Sequence, residues 1–388
     1  MSILAQVKGK VTDTQKNPLS FVSVYLEKTL TGTTTNDNGG YVLKIQKKGK
    51  HTIIFQTLGY QTLKKEINIT SFPFELNIEL EEENIQLEEV VISTKDNPAN
   101  AIIRNVIANK DKITDKFSKY TANFYSRGLY KIKEAPEKWL GRSLGDFGGG
   151  LDSTRSGIVY LSETISEITY QKSPTKFKEK ITASKVSGKD NGPSFNRAED
   201  ANINFYENSV ELGNDLISPL SSNAFSYYRF KLIGTFYAKN GKLINKIKLL
   251  PKRKNDPVFS GSIYIVEDDW AIYGADVTVT GAQVNFPAID LLSLKQGYNY
   301  SEENDSWVLI SQTIEFQINF LMWKFDGKFS SAYSNYNFTP KINIGTFSNE
   351  VLAFAISSSL RENNAIIALL LTPPTTIASA IELAICMM

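Results

Sequence analysis

The chain has 388 residues, 41% of them hydrophobic, and its 43 lysine and arginine residues against 41 acidic residues give a net charge of +2. This length suits two or three folded domains, and the near balance of charge excludes a general electrostatic drive toward nucleic acid. One histidine, His51, and one cysteine, Cys386, exclude metal sites built from several such side chains and a disulfide within the chain.

Short alternating segments separated by turn residues make up the N-terminal region. The alternation of apolar and polar residues predicts strands at 7–11, 21–27, 41–45, 51–56 and 75–80. Glycine, asparagine, aspartate and proline lie between them, as turns require. Strands of this length and spacing predict an antiparallel β-sandwich, which we place at residues 1–84.

The turn and aromatic positions of this region resemble those of the carboxypeptidase-regulatory-like, or transthyretin-like, domain. The matching residues are Gly9, Val11, Asp13, Pro18, Leu19, Val22, Val24, Thr35, Asn36, Gly39, Tyr41, Gly59 and Tyr60. The resemblance implies an immunoglobulin-like or transthyretin-like sandwich of the seven-strand type. Asn36 stands where that family more often has aspartate, and asparagine can make the same turn hydrogen bonds. In carboxypeptidases the module is accessory, and nothing else in this chain resembles their catalytic domain.

His51 is the obvious candidate for acid–base chemistry in this region. It falls on the strand at 51–56, and no convergent group of carboxylates is identifiable beside it in the sequence. We therefore expect a half-exposed strand histidine rather than a general base or a ligand.

A connector follows at residues 85–97. The acidic run 79–83 before it is typical of a solvated linker and marks the boundary. Residues 86–94 predict a short strand that resembles the segment after the same sandwich in TonB-dependent outer-membrane receptors, or else an ordinary edge strand. A receptor fragment would continue into a plug domain, but a helix start follows: Asn97 as N-cap, with Pro98 at the first helical position. Four apolar residues at helical spacing predict that this helix packs on a core: Ile102, Ile103, Val106 and Ile107.

Strands dominate the region at 98–349, which we interpret as a β-rich domain with one or two packing helices. Segments 123–130 and 157–171 alternate, and the glycine-containing loop 141–156 lacks the Gly-Lys-Ser/Thr ending of a phosphate-binding loop. Residues 227–338 predict an antiparallel meander, with turns at Asn240-Gly241, Asp268-Asp269 and Asn304-Asp305.

One face of this meander is apolar and must be covered. A curved sheet over an apolar cavity would resemble the half-barrel of periplasmic lipoprotein carriers, whereas a packed core would be closed by the helix from Pro98. The basic loop 252–254 has too few charges, and no aromatic platform, for nucleic acid.

The strongest motifs of the chain lie in segments 205–236 and 246–265. Across residues 86–349 the sequence resembles an uncharacterised family, a domain of unknown function, of envelope proteins from Bacteroidota. The residues that carry the resemblance are Tyr206, Glu207, Asn208, Ser218, Pro219, Leu220, Tyr227, Tyr228, Pro251, Lys252, Phe259 and Gly261. The resemblance implies an envelope protein whose chain continues into a C-terminal outer-membrane β-barrel, and these motifs have no assigned chemistry.

The tail at 350–388 differs in composition from the rest of the chain. Arg361 is its last cation, and Glu382 is the only acid in residues 363–388. Pro373-Pro374 interrupts the apolar run short of the roughly twenty residues that a membrane helix needs. A membrane anchor, a buried helical cap and an out-of-frame end are the alternatives, and we favour the last.

These patterns predict a non-enzymatic cell-envelope protein with a binding or assembly role, as the periplasmic part of an outer-membrane barrel protein. The alternatives are a hydrolase bearing an accessory domain and a periplasmic lipid- or lipoprotein-binding module. We expect no catalytic, cofactor-binding or metal-binding residues and no cofactor. The expected partner is a lipid, a glycan or an outer-membrane protein, not nucleic acid, and membrane association would occur only through the C-terminal barrel. The expected location is the periplasmic face of the outer membrane.

Overall fold

The computed structural model describes residues 6–27, 32–36, 38–45, 47–83, 97–139, 142–146, 150–188, 195–238, 240–301, 305–343 and 346–347. The predicted strand at 86–94 and the apolar tail at 350–388, which includes Cys386, lie outside these residues. Strands make up most of the described part, with two helices, so the predicted mainly β fold class is confirmed.

Two small sheets pack face to face in the N-terminal region. Their strands are β1 (Gln6–Asp13), β2 (Ser23–Leu26), β3 (Gly32–Thr34), β4 (Gly40–Lys44), β5 (Gly49–Gln56), β6 (Leu63–Ile69), β7 (Phe74–Glu75) and β8 (Ile78–Leu80). In one sheet β1 lies between β4 and the pair β7 and β8, and the other has the order β3-β2-β5-β6. Side chains from both sheets form the core, among them Val7, Leu43, Ile53 and Phe55.

The sandwich is mixed rather than antiparallel throughout, which corrects the prediction. Strands β7 and β8 run parallel to β1. Because the chain crosses from the second sheet to the first between β6 and β7, the crossing sets their direction, and no hairpin forces the antiparallel arrangement.

A ten-stranded antiparallel sheet forms the second part. After helix α1 (Pro98–Lys116) the chain forms β9 (Lys119–Lys133), β10 (Lys138–Trp139), β11 (Arg142–Ser143), β12 (Gly157–Lys172), β13 (Thr175–Gly188), β14 (Ser209–Glu211), β15 (Asp215–Ile217) and helix α2 (Ala224–Tyr227). It ends with β16 (Tyr228–Tyr237), β17 (Leu243–Pro251), β18 (Ser260–Val266), β19 (Ile272–Thr280), β20 (Ile289–Ser301), β21 (Ser306–Phe320) and β22 (Trp323–Asn337). The strand order is β13-β12-β9-β22-β21-β20-β19-β18-β17-β16, so the predicted meander is confirmed over β16 to β22.

Helix α1 and residues 195–227, which we call the covering segment, lie on one face of this sheet, the inner face. The side chain of Asn97 caps the helix by accepting a hydrogen bond from the backbone N–H of Ala99 at 3.1 Å, as predicted. Ile102, Ile103 and Val106 are buried against the sheet. The covering segment adds Phe205, Leu216, Leu220 and other buried side chains to the same core. The inner face is therefore a packed core, and the helix from Pro98 closes only part of it.

The glycine-containing loop at 141–156 is described except at 141 and 147–149. Its end is held by Arg155, whose guanidinium donates hydrogen bonds to the backbone carbonyls of Ala135, Pro136 and Gly145. The bonds to Ala135 and Pro136 join the described part of the loop to the residues that follow β9.

Candidate functional site

The sandwich lies on the outer face of the ten-stranded sheet, opposite the covering segment. Gln56 donates a hydrogen bond to the carbonyl oxygen of Tyr298 at 3.3 Å, and the hydroxyl groups of Thr34 and Ser330 are 3.4 Å apart. The ammonium group of Lys328 lies 3.7 Å from the centre of the Phe21 ring. These contacts join β3, β5 and the residues just before β2 to β20 and β22.

A second contact joins the two parts through Glu83, the last described residue of the sandwich. The Tyr273 hydroxyl donates to Oε1 of Glu83, and burial raises the pKa of the Glu83 carboxyl to about 7 despite this bond. Glu79, Glu81 and Glu82 are exposed, as the charge of the acidic run predicts, but Glu83 is enclosed and the run is not a free linker. Its backbone extends the sandwich instead: Glu83 donates to the carbonyl of Gly59, and the Glu81 carbonyl accepts from Gln61.

Between the sandwich and the outer face is a cleft of about 1560 Å³, which we call the interdomain cleft. Strands β1 and β4 form one wall, where Lys8, Lys10, Val42 and Lys44 are exposed. The other wall consists of β9, β12 and β13, with Tyr125, Arg127, Glu163, Ile165 and Lys185. Both folded parts of the chain thus contribute to one concave surface.

The interdomain cleft carries more positive than negative charge. Seven lysine and arginine side chains line it, against three glutamates. Arg127 pairs with Glu163 at 3.6 Å, and Lys16 pairs with Glu79. The remaining five cations form no ion pair within the described part of the chain: Lys8, Lys10, Lys44, Lys47 and Lys185. An anionic ligand would therefore meet cations that are not already neutralised.

Cross-strand neighbours order the sheet wall of the cleft. Glu163 on β12 stands between Arg127 on β9 and Lys185 on β13. The neighbouring row has Ile165, 42% exposed, in the corresponding place between Tyr125 and Ala183. The Tyr125 hydroxyl donates to Glu163 at 3.3 Å, and burial raises its pKa to about 12, so it stays a neutral donor. This wall offers charge and apolar surface side by side.

His51 lies on β5 as predicted, is partly exposed, and reaches the rim of the cleft. Its Nε2 is 2.8 Å from the backbone carbonyl of Lys47, so the ring is tied to the adjacent turn. Among the residues that the structure describes, no three His, Cys, Asp or Glu side chains converge as metal ligands would. No described helix has the length and apolar character to span a membrane.

On the inner face, the covering segment is hydrogen-bonded to the sheet. Gln296 donates to the backbone carbonyl of Ile203 at 2.7 Å, and Gln312 donates to that of Ala201 at 2.8 Å. The two glutamines also bond each other at 2.7 Å. These buried amides interrupt the face that the sequence predicts to be apolar, and they hold the chain's own backbone where a cavity would otherwise lie.

Sequence reasoning missed the cleft, since its two walls come from regions far apart in the chain. A weak signal does exist on β1 and β4. Exposed lysines alternate there with the buried Val7, Val11 and Leu43, so each strand has one cationic face. The surface that this cationic face lies against depends on how the sandwich packs on the large sheet. The alternation of residues within a strand does not predict that packing.

Comparison with known proteins adds two family-model matches. Residues 7–92 match the model of the CarboxypepD_reg-like domain, and residues 102–336 match the model described as Family of unknown function (DUF5686). The predicted resemblance to a regulatory-like sandwich followed by a domain of unknown function is confirmed. No curated protein matches the chain.

Several solved structures are similar to it at low identity. A DUF1329 family protein from Desulfovibrio piger is 12% identical, over 66% of this chain and 100% of that one, with a TM-score of 0.26. A LolA superfamily protein from Nitrosomonas europaea is 9% identical, over 63% and 97%, with a TM-score of 0.25. A chain of a type II Cohesin-X-Dockerin complex from Acetivibrio cellulolyticus is 19% identical, over 28% and 73%, with a TM-score of 0.17. These similarities assign neither ligand nor activity to the chain.

Proposed function

We propose, for a chain that belongs to the Family of unknown function (DUF5686), a non-enzymatic binding or assembly role in the cell envelope, with the interdomain cleft as its binding site. The proposed location is the periplasmic face of the outer membrane. The observation that carries the proposal is the cleft itself, a concave surface of about 1560 Å³ with walls from both folded parts and five unpaired lysines among the described residues. Ligand sites commonly lie where two domains meet.

The size of the cleft favours an extended ligand over a small metabolite. Pockets for small molecules are about 300–1,000 Å³, and this cleft is larger and open. Its cations lie along strands rather than around one point, so a linear anionic partner would meet several of them in turn.

A hydrolase is the alternative from another functional class. Acid–base catalysis uses groups whose pKa is displaced at the place where substrate binds. Burial raises the pKa of three described carboxyl groups, Glu83, Glu179 and Asp200. None of the three lines the interdomain cleft. This separation of perturbed carboxyls from the cleft favours binding over hydrolysis.

The test is binding of envelope polymers and detergent-solubilised envelope extract to the full chain, measured by calorimetry, beside the double variant Lys8→Glu/Lys44→Glu. The double variant Lys112→Glu/Lys254→Glu, at two exposed lysines outside the cleft, is the matched control for charge. We expect saturable binding that the cleft variant weakens and the control leaves unchanged. Release of cleaved products, detected by mass spectrometry, would support the hydrolase. Uptake of a hydrophobic dye that is insensitive to the cleft variant would support a lipid carrier.

Location is tested separately by fractionating the native cells and blotting with an antibody against residues 7–80. A band in the outer-membrane or periplasmic fraction is expected, and a cytosolic band would overturn the envelope assignment.

A further inference from the structure

Strand β4 forms an edge of its sheet, and this edge opens into the interdomain cleft. It pairs with β1 on one side, and no described strand pairs with it on the other. Residues of β4 line the cleft along most of the strand, including Gly40, Tyr41, Val42 and Lys44. An unpaired strand edge presents backbone N–H and C=O groups that a further strand can satisfy.

The hydrogen-bond alternation identifies the outward groups. The N–H of Val11 donates to the carbonyl of Gly39 at 2.9 Å, so Tyr41 and Leu43 also direct their backbone groups toward β1, while Val42 and Lys44 direct theirs away. The hydrogen bonds of β1 show the same alternation of inward and outward backbone groups. Lys8, paired with Val42, accepts from the N–H of Leu76 on its far side.

The outward groups of Gly40 are already used, since its N–H donates to Oδ1 of Asn36 and its carbonyl accepts from the N–H of Asn36. The free stretch of edge therefore begins at Val42. The side chain of Val42 is 49% exposed, and Lys8 lies directly across from it.

The facing wall of the cleft also ends in a strand that has no second neighbour among the described strands. Strand β13 is the outermost strand of the ten-stranded sheet, and its Ala183, Ser184 and Lys185 are exposed in the cleft. Ile165 is exposed beside them. A ligand between the walls thus meets backbone polar groups, β-branched side chains and unpaired lysines.

We infer that the occupant is an extended acidic segment of a partner protein, which adds to β4 as a strand. This deepens the proposed function and rests on it. Main-chain bonds to Val42 and Lys44 would provide affinity, while Lys8, Lys10, Lys44 and Lys185 select acidic side chains. An anionic glycan would also meet the lysines. It has no regular series of N–H and C=O groups for the strand edge, and the exposed valine and isoleucine favour a polypeptide.

The probe is a fluorescein-labelled, capped peptide of alternating glutamate and valine, with binding to the full chain followed by anisotropy. An otherwise identical peptide with N-methyl groups on alternate amides cannot complete the strand pairing, and a lysine–valine peptide controls for charge. We expect saturable binding of the acidic peptide only.

Val42→Pro tests the strand edge directly. It removes an N–H that faces the cleft rather than β1, and an edge strand tolerates proline at such a position. We expect it to weaken peptide binding by about tenfold or more, while Val42→Thr, which keeps the N–H and the β-branched shape, stays within about twofold. Circular dichroism and thermal unfolding establish that both variants are folded. If Val42→Pro unfolds the chain, loss of binding by the N-methylated peptide decides the same question.

A parallel titration with alginate, an anionic polysaccharide, tests the cleft as a binding site separately from the addition of a strand to β4. Alginate binding that weakens in Lys8→Glu/Lys44→Glu but not in Val42→Pro would overturn strand addition and leave the cleft as the binding site. Failure of both probes to bind would overturn the acidic-ligand proposal and the role of the cleft together. Peptide binding that neither Val42→Pro nor Lys8→Glu/Lys44→Glu weakens would likewise overturn the proposal that the cleft binds an acidic segment.

Discussion

The hydroxyl group of Tyr273 on β19 donates a hydrogen bond to Oε1 of Glu83 at 2.6 Å. The other carboxyl oxygen of Glu83, Oε2, is buried with no hydrogen-bond partner among the described residues. One carboxyl group at the end of the sandwich is thus enclosed at its contact with the large sheet, and its pKa rises to about 7 because burial disfavours the charged form.

The Glu83 carboxyl makes stability depend on pH. The group ionises near 4.5 when unfolded and near 7 when folded, so the folded state binds more protons between these values. The free energy of unfolding therefore falls as pH rises through this window, by at most about 3 kcal/mol. We expect Glu83→Gln, which keeps an acceptor for Tyr273, to remove most of this decline in urea unfolding measured across the window. An equally steep decline in the variant would assign the pH dependence to other groups.

Gly128 on β9 is paired directly with Phe329 on β22, whose ring covers it. A Cβ at Gly128 would lie 2.4 Å from Cε1 of Phe329. We expect Gly128→Ala to lower the free energy of unfolding by about 1–3 kcal/mol, because the buried ring must shift. Gly32→Ala is the matched control, since its nearest contact would be 3.4 Å from Cβ of Tyr25. Equal effects of the two changes in denaturant unfolding would contradict the crowding argument.

Gln312 holds the covering segment through its bonds to Ala201 and Gln296. Gln312→Leu removes both and leaves buried polar groups with fewer partners, so we expect a loss of about 1–3 kcal/mol. On the same strand, Gln317 is exposed, and Gln317→Leu should change stability by less than about 0.5 kcal/mol. Chemical denaturation of both variants measures the difference. Similar values would mean that the buried amide does not fix the segment.

Lys328 joins the large sheet to the sandwich. Its ammonium group lies over the Phe21 ring, bonds the Ser20 hydroxyl at 3.2 Å and pairs with Glu315 at 2.8 Å. We expect Lys328→Met to destabilise the chain by about 1–2 kcal/mol, because the side chain is only 19% exposed. Lys324→Met, at a 54% exposed ion pair with Glu134, should have almost no effect. Thermal unfolding of the two variants at matched ionic strength compares them, and a Lys328 effect no larger than the control would count against the contact.

Local signals in the sequence identify the features that depend on neighbouring residues alone. The cap at Asn97 and the turn at Asn240-Gly241 belong to this group, because side-chain capping and positive φ are properties of a few adjacent residues. Strand β6 is not predicted, since Lys64, Lys65 and Glu66 interrupt its alternation and only Ile69 is buried.

Features that depend on distant contacts could not be predicted. The charge of Glu83 indicates solvent, and only the position of Tyr273 reverses that expectation. The cleft likewise requires the sandwich to lie on β9, β12 and β13, which no local pattern specifies. In the sequence, Gln296 and Gln312 interrupt an apolar face. Their burial is explained only by the backbone carbonyls of the covering segment, which accept their hydrogen bonds.

The position of β22 between β21 and β9 determines when the large sheet can be completed during synthesis of the chain. Strand β9 ends at Lys133, yet the neighbour that pairs with its other side begins only at Trp323. As the chain emerges from the ribosome, β9 and β12 can form a hairpin early. The other edge of β9 has no strand to pair with until almost the whole sheet has been made. The contact of Phe21 with Lys328 forms equally late, because Lys328 belongs to that last strand. We expect this late-closing intermediate, with its uncovered strand, to be the species that a chaperone protects from pairing with another nascent chain.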